Sequence, residues 1–338
     1  LFVGNSGTTA RFITALLALG HGSYRVDGVE RMRLRPIAPL IDALRQLGVE
    51  ASSLNDDGCP PVQVVSRGLT GGVARLAGDT SSQYFSALLM VGPLTQTGLE
   101  IEVEGDLVSK PYIDMTAATM RAFGAQMENE GYHRFFVPGG QNYHAIDYGV
   151  EPDASAASYF FALAAATGGH VRVLNLGTSS GQGDARFVDV LEQMGCVVKR
   201  EEHALEVQGP AQLRGIDVDM NAISDTVQTL AAIAPIADSA VTIRNVGHIR
   251  HKETDRISAL VTELRRLGVD VVERDDGLTI HPARLKPTVV ETYDDHRMAM
   301  SFAILGCAVD GITIRDPGCV AKTFPDFFER LEATVRPR

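Results

Sequence analysis

Apolar and polar positions follow a repeating order along the chain. An amphipathic helix that ends in Gly and runs into a strand is predicted four times. The copies are Leu44-Arg45-Gln46-Leu47-Gly48-Val49, Met120-Arg121-Ala122-Phe123-Gly124-Ala125, Leu191-Glu192-Gln193-Met194-Gly195-Cys196 and Leu264-Arg265-Arg266-Leu267-Gly268-Val269. Their glycines stand 76, 71 and 73 residues apart. Glycine just past a helix end takes the left-handed cap conformation without steric cost, which accounts for its recurrence there.

A second helix keeps the same period and is apolar nearly all round, the mark of a helix buried on most faces. Its copies end near Gly20, Gly92, Gly168, Asp238 and Gly306, at spacings of 72, 76, 70 and 68. Each opens with a polar turn: Asn5 to Thr9, Thr80 to Gln83, Asp153 to Ser158, Asn221 to Thr226, Asp294 to Arg297. Strand candidates such as Val171–Leu174 and Val241–Arg244 lie between the helices, and Leu1-Phe2-Val3 reads as a strand running into Gly4. The fold class predicted is α/β, from repeated βαβαββ-like units of about 70 residues with apolar helices buried inside sheets.

Composition adds bounds. At roughly 150 residues per domain, 338 residues imply about two domains, drawn here at residues 1–150 and 151–338. With 45% hydrophobic and 22% charged residues the chain is globular rather than disordered or coiled-coil. No run of about 18 apolar residues predicts a membrane span. A net charge of −11 argues against nucleic acid or an anionic membrane as partner. Cys59, Cys196, Cys307 and Cys319 have no metal-site spacing and read as reduced thiols of a cytoplasmic protein.

Cations at the polar helix openings bring in chemistry. A helix N-terminus carries unpaired N–H groups and the positive end of the dipole, so it suits an anion and disfavours a cation. Arg11, Lys110, Arg256, Arg297 and Lys322 stand at such openings, with Arg35 just before Pro36. Each alone reads as a solvated surface side chain; as a set at equivalent repeat positions they point to a phosphate-rich cleft. Gly4-Asn5-Ser6-Gly7-Thr8 can bring backbone N–H groups close to an oxyanion, and no Gly-Lys-Ser/Thr follows to make it a Walker A loop. Ser81, Ser82 and Gln83 offer neutral donors or a helix cap. Glu253, Asp255 and Asp225 read either as favourable first-turn acids and caps or as functional carboxylates. His296 at a helix start is equally an ordinary histidine.

These motifs, in order with Arg31-Met32-Arg33-Leu34-Arg35-Pro36-Ile37, Gly105-Asp106-Leu107-Val108-Ser109-Lys110-Pro111-Tyr112, Lys252-Glu253-Thr254-Asp255-Arg256, Asp295-His296-Arg297-Met298-Ala299-Met300 and Ala321-Lys322-Thr323-Phe324-Pro325, resemble the EPSP synthase family of 3-phosphoshikimate 1-carboxyvinyltransferases. The resemblance implies a two-domain enolpyruvyl transferase fold, three βαβαββ units to a domain, closing over a cleft. The first unit is expected to be largely missing. It implies transfer of the enolpyruvyl group of phosphoenolpyruvate to the 5-hydroxyl of shikimate 3-phosphate with release of phosphate, and no metal or organic cofactor. It further implies a monomer, cytoplasmic or plastidic in a plant, with glyphosate in the phosphoenolpyruvate subsite.

Carried over residue by residue, the resemblance makes Asp225 the proton acceptor at the hydroxyl and Glu253 the proton donor to the methylene carbon, with Lys322 beside it. It puts Gly7, Arg35, Gln83, Arg256, Arg297 and Lys322 on phosphoenolpyruvate. Ser81, Ser82, Gln83, Ser109, Tyr112, Asp225 and Lys252 fall to shikimate 3-phosphate, with His248 as a further candidate in place of the family's usual Asn. Arg11 is carried over only by its place in the Gly-rich loop, and Phe12 replaces a frequent Pro. The family's Lys-Ser motif would precede Leu1, so the 338-residue chain alone is expected to be poorly stable or inactive. Two alternatives remain: a UDP-N-acetylglucosamine 1-carboxyvinyltransferase, disfavoured because residues 28–36 lack its loop Cys, and a non-catalytic phosphate-binding relative, disfavoured by the presence of Asp225, Glu253 and Lys322.

Overall fold

The computed structural model describes residues 1–335. The chain divides into a first unit, Leu1–Gly149 with His251–Glu253, and a second, Val150–Arg250 with Thr254–Arg338. The helices are α1 (Gly7–Leu17), α2 (Ala38–Gln46), α3 (Ser82–Val91), α4 (Lys110–Ala122), α5 (Ala154–Thr167), α6 (Phe187–Gln193), α7 (Val227–Ile233), α8 (Arg256–Arg266), α9 (His296–Ala308) and α10 (Phe327–Thr334).

The two helix types take the places their patterns imply. The apolar helices form the cores: α1 packs on α3 in the first unit, and α5, α7 and α9 pack on one another in the second. All seven residues of α7, eight of the ten of α3 and nine of the thirteen of α9 are buried. The Gly-ended helices α2, α4, α6 and α8 stop where expected. Gly48, Gly124, Gly195 and Gly268 have φ of 82°, 90°, 101° and 90°, the left-handed region where a Cβ is costly.

Among the described residues two βαβαββ units are complete. Strands Gly72–Ala77, Leu99–Glu104, Arg134–Val137 and Glu128–Glu130 lie side by side in that order, the first two parallel with Gly72 opposite Leu99. Strands Asp217–Asp219, Val241–Arg244, Gly277–Ile280 and Val271–Arg274 repeat the arrangement, with Asp217 opposite Thr242. Thr288–Val290 and Ile312–Ile314 form a further parallel pair flanking α9. The expected strand at Leu1-Phe2-Val3 is reduced to a single parallel bridge between Phe2 and Asp27. Among the described residues no helix is long and apolar enough to cross a membrane.

The parallel pairs decide where polar helix openings go. A strand followed by a helix and then a parallel neighbour sends both following segments off the same edge of the sheet. Hence α3 and α4 both start at the C-terminal edge of the pair Gly72–Ala77 and Leu99–Glu104. In the same way α7 and α8 leave one edge of their sheet. So do α9 and the 3-10 turn Pro317–Lys322 that follows Ile314. In open α/β sheets that edge is the usual place for ligands.

Candidate active site

In the first unit the Gly-rich loop and two arginines form one cluster. Ser6 caps α1 by accepting from the Thr9 N–H at 3.3 Å, and Gly7 is the first helical residue. Arg35, 5% exposed, donates through Nη1 to the Asn5 carbonyl at 2.9 Å and lies 3.9 Å from Glu253 Oε1. Arg11, equally buried, donates to Gln83 Oε1 and to the Pro36 carbonyl, both at 3.1 Å. Gln83 Nε2 in turn donates to Thr8 Oγ1 at 3.0 Å. A Cβ on Gly7 would lie 2.8 Å from Arg35 Cζ and against the Arg11 guanidinium. A methyl there would have to displace the ends of the two arginine side chains; its nearest neighbours are side-chain atoms, not backbone, and the backbone angles do not call for glycine.

The remaining first-unit candidates stand at the openings of packed neighbours. Ser81 caps α3, accepting from the Gln83 N–H at 3.3 Å, and Ser82 is buried at its first position. Ser109, at φ 55°, precedes α4, and Tyr112 sits in its first turn. The helices α3 and α4 are joined by the Ser86–Thr116 hydroxyl pair at 2.7 Å. Lys252 is fixed through its carbonyl, which accepts from Arg31 Nε at 3.2 Å and Nη2 at 2.9 Å.

The second unit holds a cluster of alternating sign. Asp225, in the 3-10 turn Asn221–Thr226 before α7, accepts from Arg256 Nη1 at 3.1 Å and from Arg297 Nη2 at 2.8 Å. Arg256 opens α8, is 1% exposed, and also donates through Nε to Asp295 Oδ2 at 2.8 Å. Asp295, fully buried, caps α9 by accepting from the Arg297 N–H at 2.9 Å. Arg297 Nη1 donates to the Tyr159 hydroxyl at 3.3 Å, whose pKa burial pushes up to about 12, so it stays a neutral phenol. His296 Nδ1 lies 3.6 Å from Asp295 Oδ1, and His248 is buried in the turn Gly247–His251.

Three expectations need correction. Arg11 is the fifth residue of α1, one turn inside the helix rather than at its opening. Lys322 ends the 3-10 turn Pro317–Lys322 and is exposed, ahead of α10 rather than at its start. The charge of Arg256 and Arg297 is already met within the protein by Asp225 and Asp295, so these two do not require an outside anion to offset them. The residue at the N-cap of α7 is Thr226 rather than Asp225, and Asp255 caps α8, accepting from the Ser258 N–H at 3.0 Å. The residue that sequence reasoning passed over is Asp295, visible only as the acid before His296-Arg297. Its partner Arg256 lies 39 positions away.

The comparisons with known proteins bear on the family and the fold. The family model described as EPSP synthase (3-phosphoshikimate 1-carboxyvinyltransferase) matches residues 1–331. The chain belongs to the EPSP synthase family. It is 56% identical over 331 residues to the 3-phosphoshikimate 1-carboxyvinyltransferase of Nostoc punctiforme, covering 98% of this chain and 78% of that protein. It is 49% identical over 345 residues to the chloroplastic protein of that name from Solanum lycopersicum, covering 98% of this chain and 66% of the relative. The solved EPSP synthase of Acinetobacter baumannii superposes with a TM-score of 0.79 at 26% identity, over 98% of this chain and 78% of that one. The fold is thus the family's enolpyruvyl transferase fold.

Proposed function

We propose that this protein is a 3-phosphoshikimate 1-carboxyvinyltransferase acting on the way to chorismate and the aromatic amino acids. The observation that carries the reading is the Asp225 carboxylate held by Arg256 and Arg297 at the sheet edge, in a chain of this family. Phosphoenolpyruvate and shikimate 3-phosphate each carry a phosphate and a carboxylate, which repel in water. Fixed guanidinium groups offset that repulsion at no reorganisation cost during the reaction, and holding both reactants together supplies orientation.

Arg35, Gln83, Arg256, Arg297 and Lys322 bind phosphoenolpyruvate, with Gly7 keeping the backbone close. Ser81, Ser82, Gln83, Ser109, Tyr112, His248 and Lys252 bind shikimate 3-phosphate together with Asp225. An incoming carboxylate competes with Asp225 for the Arg256 and Arg297 donors. Each donor it takes frees a lone pair of Asp225 for the 5-hydroxyl. The hydroxyl oxygen bonds to C2 of phosphoenolpyruvate as Asp225 takes its proton and Glu253 gives one to C3. Glu253, left as a carboxylate by that transfer, then takes a proton from C3; the C2–C3 double bond re-forms as the bond from C2 to the phosphate oxygen breaks, and phosphate leaves with Lys322 beside it.

By the same reading glyphosate occupies the phosphoenolpyruvate subsite and the enzyme works as a monomer, in the cytoplasm or, in a plant, in the plastid. The test is phosphate release from phosphoenolpyruvate with each acceptor in turn. Release with shikimate 3-phosphate and none with UDP-N-acetylglucosamine is expected; the reverse overturns the reading.

A further inference from the structure

Glu263 is a fully buried carboxylate that the proposed reaction does not use. It lies on α8 seven residues beyond Arg256, close to two helical turns, so both project from one stripe of the helix. Its Oε1 accepts from the Tyr293 hydroxyl at 2.8 Å. Its Oε2 accepts from the Glu291 backbone N–H at 3.0 Å and from Arg266 Nη1 at 2.6 Å. Arg256, at the other end of the stripe, holds Asp295. One helix therefore grips the loop 291–295 at both ends.

That loop is strained between the two grips. Tyr293 and Asp294 have φ of 56° and 54°, consecutive non-glycine residues in the left-handed region. Such a conformation persists only where its surroundings over-determine it. The consequence falls on the next residues: Asp295 caps α9, and Arg297 reaches Asp225. We propose that Glu263 is a positioning residue for the phosphoenolpyruvate side of the site. Through Tyr293 and the Glu291 amide it holds the strained loop that aims Arg297 and seats Asp295 against Arg256. This rests on the assignment of Arg256 and Arg297 to phosphoenolpyruvate above.

The test compares wild type, Tyr293→Phe, Glu263→Gln and Glu263→Ala, expressed from the protein's own gene, by KM for each substrate, kcat and urea midpoint. Losing the phenol's hydrogen bond is expected to raise KM for phosphoenolpyruvate about three- to tenfold in Tyr293→Phe, with KM for shikimate 3-phosphate within about twofold. Glu263→Gln, which keeps an acceptor for Tyr293, falls between Tyr293→Phe and Glu263→Ala. If Glu263→Ala fails to fold, the other two variants decide. An unchanged phosphoenolpyruvate KM in folded Tyr293→Phe and Glu263→Gln overturns the proposal, and so does an equal rise for both substrates. Those results would leave the function standing. A wild type that releases no phosphate would instead remove the function and this inference together.

Discussion

Arg297 donates to Asp225 at 2.8 Å while Arg256 donates to the other oxygen of the same carboxylate at 3.1 Å. Two cations, from the openings of α8 and α9, fix both oxygens of one acid just before α7. Asp225→Asn keeps the shape and removes the proton acceptor. A fall in kcat of about 100- to 10,000-fold is expected, the usual worth of a positioned general base. Phosphate release at saturating substrates measures it, and an unaltered rate would remove Asp225 from the role of proton acceptor.

Gly7→Ala acts on cations, not on open space. The added methyl meets the Arg11 and Arg35 guanidinium groups, and pushing them aside stretches their hydrogen bonds to Gln83, Pro36 and Asn5. Overpacking of this kind typically costs about 1–3 kcal/mol. KM for phosphoenolpyruvate is expected to rise, and glyphosate inhibition to weaken further. Equal glyphosate inhibition constants for the two forms would refute the steric account.

What was legible in the sequence was whatever repeats locally. The four helix-ending glycines and the five apolar helices follow from residue type and period, because cap geometry and burial are set within a few neighbours. The partners were not legible. Arg256 with Asp295, and Arg35 with Glu253, join segments 39 and 218 positions apart that only the folded chain brings together. Arg11 and Lys322 were misplaced for a related reason. Composition marks a helix opening to within a turn, and a single turn decides whether a cation meets the dipole or a carbonyl.

Arg256 and Asp295 are 1% and 0% exposed, a buried pair in which each removes the other's need for water. Asp295→Ala leaves the guanidinium buried with one carboxylate fewer and strips the cap from α9. Breaking a buried pair by deleting one partner costs about 3–5 kcal/mol. The loss is expected in the urea unfolding of the second unit, with Arg256→Met together with Asp295→Leu recovering part of it. A single-variant loss below about 1 kcal/mol would mean that the pair contributes little.

Tyr159 gives the second unit an alkaline limit. Its ordinary pKa of 10 is pushed up to about 12 by burial, against the opposing pull of Arg297. Unfolding would let the phenol ionise at its ordinary value. Its contribution to stability is therefore fully present below pH 10 and is lost as the pH rises from 10 through 12. Tyr159→Phe removes the ionisable hydroxyl and keeps the ring that packs edge-on against Phe327 at 5.8 Å. The variant is expected to lose stability less steeply than wild type across that window. Tyr293, which burial also pushes to about 12, and the Cys196 thiol, which burial pushes to about 11, contribute to the slope that remains in this unit. Parallel stability curves for the two proteins between pH 10 and 12 would show that Tyr159 ionises in the folded unit as readily as in the unfolded chain.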